Sequence, residues 1–81
     1  MQGQNILFGT IMSPKDLGNA IRAKRRADRL TQADAAALCG VGTRFLGELE
    51  RGKETAQIGK VLRIINGLGL SLEIASRGGR Q

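Results

Sequence analysis

Apolar residues recur at helical spacing near the end of the chain. They follow one another at steps of three and four residues, which places them on one face of an amphipathic helix. The set is Ile58, Val61, Leu62, Ile65 and Leu68. The pattern predicts a helix over Ala56–Leu68, preceded by a turn at Glu54 with Thr55 as the N-cap, and stopped by Gly69.

An earlier helix is predicted to begin at Ser13. Ser13 is a favourable N-cap, Pro14 suits the first helical position, and Asp16 completes an S-x-x-D capping pattern. This helix is expected to end near Ala27–Arg29. Its inner face consists of Leu17, Ala20 and Ile21.

Two short helices are predicted within Leu30–Lys53. Thr31 and Asp34 have the spacing of a capping box at the start of a helix over Gln32–Cys39. Gly40 follows where a left-handed residue commonly ends a helix. The predicted inner face of this helix consists of Ala35, Ala36 and Leu38.

The second of these helices follows an apolar turn residue, Val41. Gly42 is its predicted N-cap and Gly52 closes it. Its apolar residues at helical spacing are Phe45, Leu46 and Leu49. Because small residues let two helices cross closely, we interpret the pair as a helix-turn-helix whose second helix reaches a DNA major groove. Another kind of small helical bundle is the alternative.

The hydrophobic period changes over Leu70–Ala75, where apolar and polar residues alternate as in a half-buried strand. A strand needs a partner for its backbone groups, so we expect it to pair with the same segment of a second copy across a two-fold axis. A frayed, extended tail is the alternative. The predicted dimerisation residues are Leu70, Leu72 and Ile74.

These patterns divide the chain of 81 residues into four parts around one small domain. An N-terminal arm covers 1–12. It could form a short strand or pack on a partner, and a flexible terminus is the alternative. The helix-turn-helix domain covers 13–69. The dimerisation strand covers 70–75, and a flexible basic tail covers 76–81.

The charge balance favours a polyanionic partner. Thirteen Lys and Arg residues against seven Asp and Glu residues give a formal net charge of +6, which is typical of nucleic-acid-binding domains. Two Phe residues and no Tyr or Trp provide few rings on which single-stranded bases could stack. The predicted partner is therefore double-stranded DNA.

Composition also argues against other classes of protein. Cys39 is the single cysteine and the chain has no histidine, so the sequence offers neither a disulfide framework nor a zinc ligand set. We expect no catalytic residues, no metal and no cofactor. The sequence shows neither the apolar run of a signal peptide nor one of membrane-spanning length, and the predicted location is the cytoplasm.

The first turn of the second short helix contains the best candidates for reading bases. Thr43 and Arg44 open this helix, and an arginine there can donate two hydrogen bonds to O6 and N7 of guanine. Gly47 lies one turn further, where the lack of a side chain permits close approach of DNA. Arg51 and Lys53 follow at the end of the helix as candidate phosphate contacts.

Several of these residues form a known pattern. L-T-Q-x-x-x-A-x-x-x-G-V over Leu30–Val41, followed by L-E-R-G-K over Leu49–Lys53, resembles the Xre/Cro-type helix-turn-helix family. The resemblance implies a mostly α, lambda-repressor-like fold of four to five helices in which Gln32 contacts the DNA backbone. It also implies an ion pair between Arg25 in the first helix and Glu50 at the end of the recognition helix.

Glu48 departs from that family pattern, because it places an acidic residue at a base-reading position. We consider three roles for it. Its carboxylate could accept a hydrogen bond from cytosine N4, orient Arg44 one turn earlier, or lie at the surface without a specific contact.

A wider resemblance covers most of the chain. S-P-x-x-L-x-N-A-I-R over Ser13–Arg22 and L-G-L-S-L-E-I over Leu68–Ile74 are similar to HipB-like antitoxins. The resemblance implies a homodimer with paired C-terminal strands that represses its own operon and binds a HipA-like kinase toxin. We therefore predict a sequence-specific transcriptional repressor that acts as an antitoxin. The alternatives are a stand-alone Xre-type regulator without a toxin and a protein-interaction module that neutralises a partner without DNA.

Overall fold

Helices account for the regular structure of this protein. The computed structural model describes residues 9–76 and 78, and this part of the chain contains four helices and no strand. In chain order the helices are α1 (Pro14–Ala27), α2 (Gln32–Cys39), α3 (Thr43–Glu50) and α4 (Ile58–Gly67). The predicted mostly helical fold is confirmed. None of these four helices has the length and apolar character needed to cross a membrane.

Two side chains cap the start of α1, Ser13 just before the helix and Asp16 in its first turn. The Ser13 hydroxyl accepts a hydrogen bond from the Asp16 N–H at 3.0 Å, and Pro14 occupies the first helical position. The Asp16 carboxylate accepts from the Met12 N–H at 2.9 Å. The return bond of the capping pattern therefore goes to the residue before the cap.

Both ends of α2 agree with the sequence prediction. The Thr31 hydroxyl accepts from the Asp34 N–H at 3.0 Å, and the Thr31 N–H donates to the Asp34 carboxylate at 3.3 Å. Together these bonds form a complete capping box. At the other end Gly40 has φ 74°, a left-handed conformation that glycine adopts without strain.

The start of α4 differs from the sequence prediction. The helix begins at Ile58, two residues after the predicted Ala56. Its N-cap is Gln57 rather than Thr55, and Gln57 makes no side-chain capping bond. The helix ends at Gly67, one residue early. The apolar pattern itself begins at Ile58, where the helix starts. The predicted start was early because Thr55, a favourable N-cap residue by type, was taken as the boundary, whereas the N-cap is Gln57.

The hydrophobic core lies where the four helices meet. Its buried members are Ile21, Ala35, Ala36, Cys39, Leu46, Leu49, Val61, Ile64, Ile65 and Leu68. Three residues that the patterns predicted to face inward are exposed, Leu38 at 59%, Ile58 at 63% and Leu62 at 38%. Leu38 lies outside because Ala35, Ala36 and Cys39 define the buried face of α2, and Leu38 falls at its margin.

Two glycines let the helices approach each other closely. At Gly18 on α1, an added Cβ would meet the Leu49 carbonyl oxygen and would lie 2.7 Å from the Glu50 carbonyl oxygen on α3. At Gly67 on α4, a Cβ would lie 2.6 Å from the Sγ of Cys39 on α2. Close packing of this kind leaves no room for a methyl group.

The segment after α4 has no regular secondary structure as far as residue 76. The Leu70 N–H donates to the Ile65 carbonyl at 2.9 Å, and the Leu70 side chain packs against the core. Leu72 and Ile74 are 52% and 95% exposed. The strand over 70–75 requires a second copy of the chain, so strand pairing stays a prediction.

Parts of both predicted ends lie outside the described residues. Residues 1–8 make up most of the predicted N-terminal arm, and residues 77 and 79–81 belong to the predicted basic tail. The arm and the tail therefore stay predictions.

We expect Gly18→Ala to lower the free energy of unfolding by about 1–3 kcal/mol, because the new methyl group overlaps backbone oxygens of α3. The matched control is Gly59→Ala on α4, where an added Cβ meets nothing within 4 Å. Alanine there is expected to raise the free energy of unfolding by up to about 1 kcal/mol. Urea unfolding followed by circular dichroism measures both. Similar effects of the two variants would contradict the close contact.

Candidate nucleic-acid interface

The turn between α2 and α3 holds the two helices in a fixed relation. The Val41 N–H donates to the Ala36 carbonyl at 3.0 Å, and Val41 packs against the core. Gly42 then serves as the N-cap of α3 without a side-chain hydrogen bond. This is the arrangement of a helix-turn-helix, in which α2 braces α3.

Thr43 and Arg44 lie at the exposed beginning of α3. Both residues are exposed, and the Arg44 side chain is 90% exposed. Leu46 and Leu49 on the same helix are buried. One face of α3 is thus anchored in the core, while its first turn presents side chains that could enter a major groove.

The far end of α3 is held by a buried ion pair. The Arg25 Nε donates to Glu50 Oε2 at 2.6 Å, and its Nη2 donates to Glu50 Oε1 at 3.0 Å. Arg25 is 8% and Glu50 2% exposed. A third bond joins Arg25 Nη1 to the Leu30 carbonyl at 2.8 Å. The structure brings together the two residues that the family resemblance paired.

Two further side chains, both partly exposed, join this buried pair. Gln32 Nε2, at the first residue of α2, donates to Glu50 Oε1 at 3.0 Å. Arg22 Nε on α1 lies 3.6 Å from the same oxygen. The sequence pattern did not single out Arg22, although its position three residues before Arg25 puts both on one side of α1. We call Arg22, Arg25, Gln32 and Glu50 the buttress cluster.

The buttress cluster keeps Glu50 ionised. Burial alone would raise the pKa of Glu50, but the hydrogen bonds from Arg25 and Gln32 and the charges of Arg25 and Arg22 outweigh burial, so its pKa lies below the usual value. The hydrogen bond to Glu50 in turn raises the pKa of Arg25. Because both ions are buried, loss of one partner would leave an unpaired charge at a cost of about 3–5 kcal/mol.

Gly47 lies beneath two polar side chains. It is buried, and a Cβ there would be 3.4 Å from Gln32 Oε1 and 3.6 Å from Arg51 Nη1. Close approach of DNA at Gly47 would require these side chains to move, and it stays a prediction. Arg51 itself is exposed immediately after α3.

Glu48 joins two cations on the exposed side of α3. Its Oε2 accepts from Arg44 Nε at 3.3 Å, and its Oε1 accepts from Lys53 Nζ at 3.0 Å. The hydrogen bond from Lys53 makes the largest contribution to lowering the pKa of Glu48, and Arg44 adds to it. The structure therefore brings three predicted site residues into one contact group, which favours the orienting role among those considered for Glu48.

Cys39 belongs to the core. It is 7% exposed, its Sγ donates to the Ile64 carbonyl at 3.7 Å, and burial raises its pKa. A thiol in this state is a poor nucleophile. Over residues 9–76 and 78, no group of three or more His, Cys, Asp or Glu residues is placed to hold a metal ion.

Comparison with known proteins identifies the family. A family model described as a helix-turn-helix domain matches residues 16–76. The chain belongs to the helix-turn-helix family of transcriptional regulators. The uncharacterized HTH-type transcriptional regulator y4mF of Sinorhizobium fredii is 45% identical over 71 residues, which cover 88% of this chain and 93% of that protein. The HTH-type transcriptional regulator Mb0023 of Mycobacterium bovis is 44% identical over 59 residues, which cover 73% of this helix-turn-helix chain and 23% of Mb0023.

Solved structures of HipB have the same fold as this helix-turn-helix protein. A HipB–O2 20mer complex matches with a TM-score of 0.80 at 25% identity and covers 88% of this chain and 99% of the HipB chain. A HipB–O4 20mer complex matches with a TM-score of 0.78 at 23% identity, covering 85% of this chain and 97% of that one. A HipA–HipB–O2–O3 complex gives the same values. The resemblance to Xre/Cro-type and HipB-like proteins is confirmed.

We expect acid to weaken the fold through Glu50. Because the pKa of Glu50 is lower in the folded than in the unfolded chain, its stabilising contribution is present above the unfolded value of about 4.3 and is lost as pH falls through the folded value. Wild type should exceed Glu50→Gln in free energy of unfolding at neutral pH, and the difference should shrink below about pH 4.

Urea unfolding across this pH range measures the difference. Glu54→Gln, which alters an exposed carboxylate, is the control and is expected to leave the acid sensitivity in place. A difference between wild type and Glu50→Gln that stays constant with pH would contradict the role of the buttress cluster.

Proposed function

We propose that this chain is a sequence-specific transcriptional repressor that acts in the cytoplasm as a homodimer on double-stranded DNA. The observation that carries the proposal is the exposed Arg44 at the start of α3, on a helix whose opposite end is held by the buried Glu50. A rigid helix with an exposed arginine in its first turn is suited to reading a major groove. The named relatives, HTH-type transcriptional regulators, support the same class of function.

In this proposal α3 lies in the major groove, where Arg44 donates to guanine O6 and N7. Thr43, beside it, contacts a base or a phosphate through its hydroxyl group. Repression follows from occupancy, because a bound dimer blocks access of the transcription machinery to the operator. The proposal needs no catalytic residue, metal or cofactor.

Phosphate contacts position the protein on the duplex. Arg51 and Lys53 are exposed beside α3, and Gln32 retains a second amide N–H after donating to Glu50. With a formal net charge of +6, the protein should release counterions on binding, so that affinity falls steeply with salt concentration.

The exposed apolar residues after α4 support a dimer. Leu72 and Ile74 are large apolar side chains with 52% and 95% exposure, and they alternate with polar residues along the predicted strand. Pairing of two such strands would satisfy their backbone groups and cover both side chains. The dimer would then present two copies of α3 to successive major grooves, about 34 Å apart.

We also propose that this regulator is the antitoxin of a HipA-like kinase toxin. Support comes from the likeness to HipB structures, one of which is a HipA–HipB–O2–O3 complex, and from the HipB-like motifs at both ends of the domain. A kinase-like reading frame beside the gene would favour the antitoxin. Its absence would favour a stand-alone regulator.

We expect Arg44→Ala to lose about 1–3 kcal/mol of discrimination at one base pair of the operator, because the bidentate contact to guanine disappears. Gel-shift titration on DNA from upstream of the gene, with each base pair replaced in turn, measures this loss. Arg26→Ala is the control with the same loss of charge, on an exposed residue of α1, and it should weaken binding to all these DNAs by a similar factor.

Two results would contradict this prediction. Equal base preference in Arg44→Ala and wild type would remove Arg44 from base reading. Upstream DNA bound no better than random DNA by wild type would favour the protein-interaction module instead.

Proline in the C-terminal strand should disrupt the dimer. Alternate N–H groups of a strand face its partner, so either Leu72→Pro or Ser71→Pro removes a ladder donor, and we expect at least one of the two to shift the protein toward monomer. Leu72→Val retains the N–H and an apolar side chain and serves as the control. Sedimentation equilibrium measures the mass. A dimer unaffected by both proline variants would refute strand pairing.

A further inference from the structure

Glu48 occupies an unusual place on a helix proposed to bind DNA. It is an acidic residue on the same side as Arg44, one turn after it, where in the proposed DNA complex a carboxylate would face the phosphates. Its side chain is 24% exposed, and its two oxygens are bonded to two different cations, Arg44 Nε at 3.3 Å and Lys53 Nζ at 3.0 Å. We call Arg44, Glu48 and Lys53 the charge bridge.

We propose that Glu48 determines specificity by positioning Arg44 for base reading and by weakening the contact that Lys53 can make with phosphates. The inference rests on the proposed DNA-binding function and deepens it. Glu48 makes no base contact in this mechanism. It acts through the two cations of the charge bridge.

The hydrogen bond between Arg44 and Glu48 determines which N–H groups of the guanidinium group remain free to donate to a base. Glu48 occupies the Nε–H of Arg44, which leaves the two terminal amino groups as donors. Two adjacent N–H donors are what guanine requires, because its O6 and N7 lie side by side in the major groove. The Arg44 side chain is 90% exposed even with this bond, and the tether to Glu48 reduces the conformational freedom that it loses on binding DNA. Glu48 therefore favours the guanine contact over random contacts with phosphates.

The hydrogen bond between Lys53 and Glu48 weakens DNA binding that does not depend on base sequence. Such binding comes almost entirely from neutralised phosphates. Lys53 follows α3 directly and is 46% exposed, yet its ammonium group already has a carboxylate partner. Contact with a phosphate must break that bond and bring the phosphate near the Glu48 charge. The Glu48 carboxylate is charged at neutral pH, and the hydrogen bond from Lys53 lowers its pKa further. Random DNA therefore gains less from Lys53 than from a free lysine.

The test compares Glu48→Gln with Glu54→Gln. Both variants remove one negative charge, but Glu54 is an exposed residue outside the charge bridge. Gel-shift titrations of each variant and of wild type use upstream DNA and random DNA at several salt concentrations. Thermal unfolding of both variants checks that the fold is retained.

We expect Glu48→Gln to bind random DNA more tightly by roughly fivefold near physiological salt, with a salt slope steeper by about 0.9, the effect of one added phosphate contact. Upstream DNA should gain less or lose affinity, because Arg44 is no longer positioned. The ratio of the two affinities therefore falls. Glu54→Gln should change both affinities by one common factor and leave the slope unchanged.

The double variant Glu48→Gln with Lys53→Met locates the effect. If Lys53 makes the added phosphate contact, the double variant should return the salt slope on random DNA to the wild-type value. Lys53→Met alone should change that slope little, because Glu48 already holds the lysine. A steep slope that persists in the double variant would overturn the role of Lys53.

The outcomes separate the inference from the function on which it rests. Equal affinity ratios and equal slopes in Glu48→Gln and Glu54→Gln, with wild type selective for upstream DNA, would overturn the inference and leave the DNA-binding proposal standing. A wild-type protein that does not distinguish upstream from random DNA would overturn the DNA-binding proposal, and the inference with it.

Discussion

The structure depends on the buried ion pair between Arg25 and Glu50. Glu50 is the last residue of α3 and is 2% exposed, so its charge is tolerated only because Arg25 donates two hydrogen bonds to it and Gln32 donates a third. These donors come from α1 and α2. Arg25 and Gln32 therefore join the end of α3 to both neighbouring helices.

The two ends of α3 differ in burial. Leu46, Leu49 and Glu50 bind the helix to the core, and Gly18 lets α1 lie close against its final turn. The first turn, with Arg44, stays exposed. Since α3 has only eight residues, a shift at the buried end would move the exposed end as well. The proposed reading of guanine by Arg44 requires this rigidity, because a bidentate contact with guanine tolerates little displacement.

Much of the local architecture could be predicted from the sequence. The N-caps Ser13 and Thr31 and the left-handed Gly40 act on backbone groups within a few residues, so their effect is encoded locally. The likeness to a family motif supplied the pairing of Arg25 with Glu50, which spacing alone does not reveal. The exposed position of Arg44 also follows from its place in the first turn of α3.

Only the tertiary structure decided the contacts between residues that are far apart in sequence. It placed the Gln32 amide on Glu50, 18 residues away, brought Arg22 to the same carboxylate, and left Leu38 outside the core. In the structure α4 also begins at Ile58 rather than at the predicted Ala56. Caps and hydrophobic periods describe one helix at a time. Which face is buried, and which polar groups meet, depends on how the helices pack against each other, and that packing is a property of the whole chain.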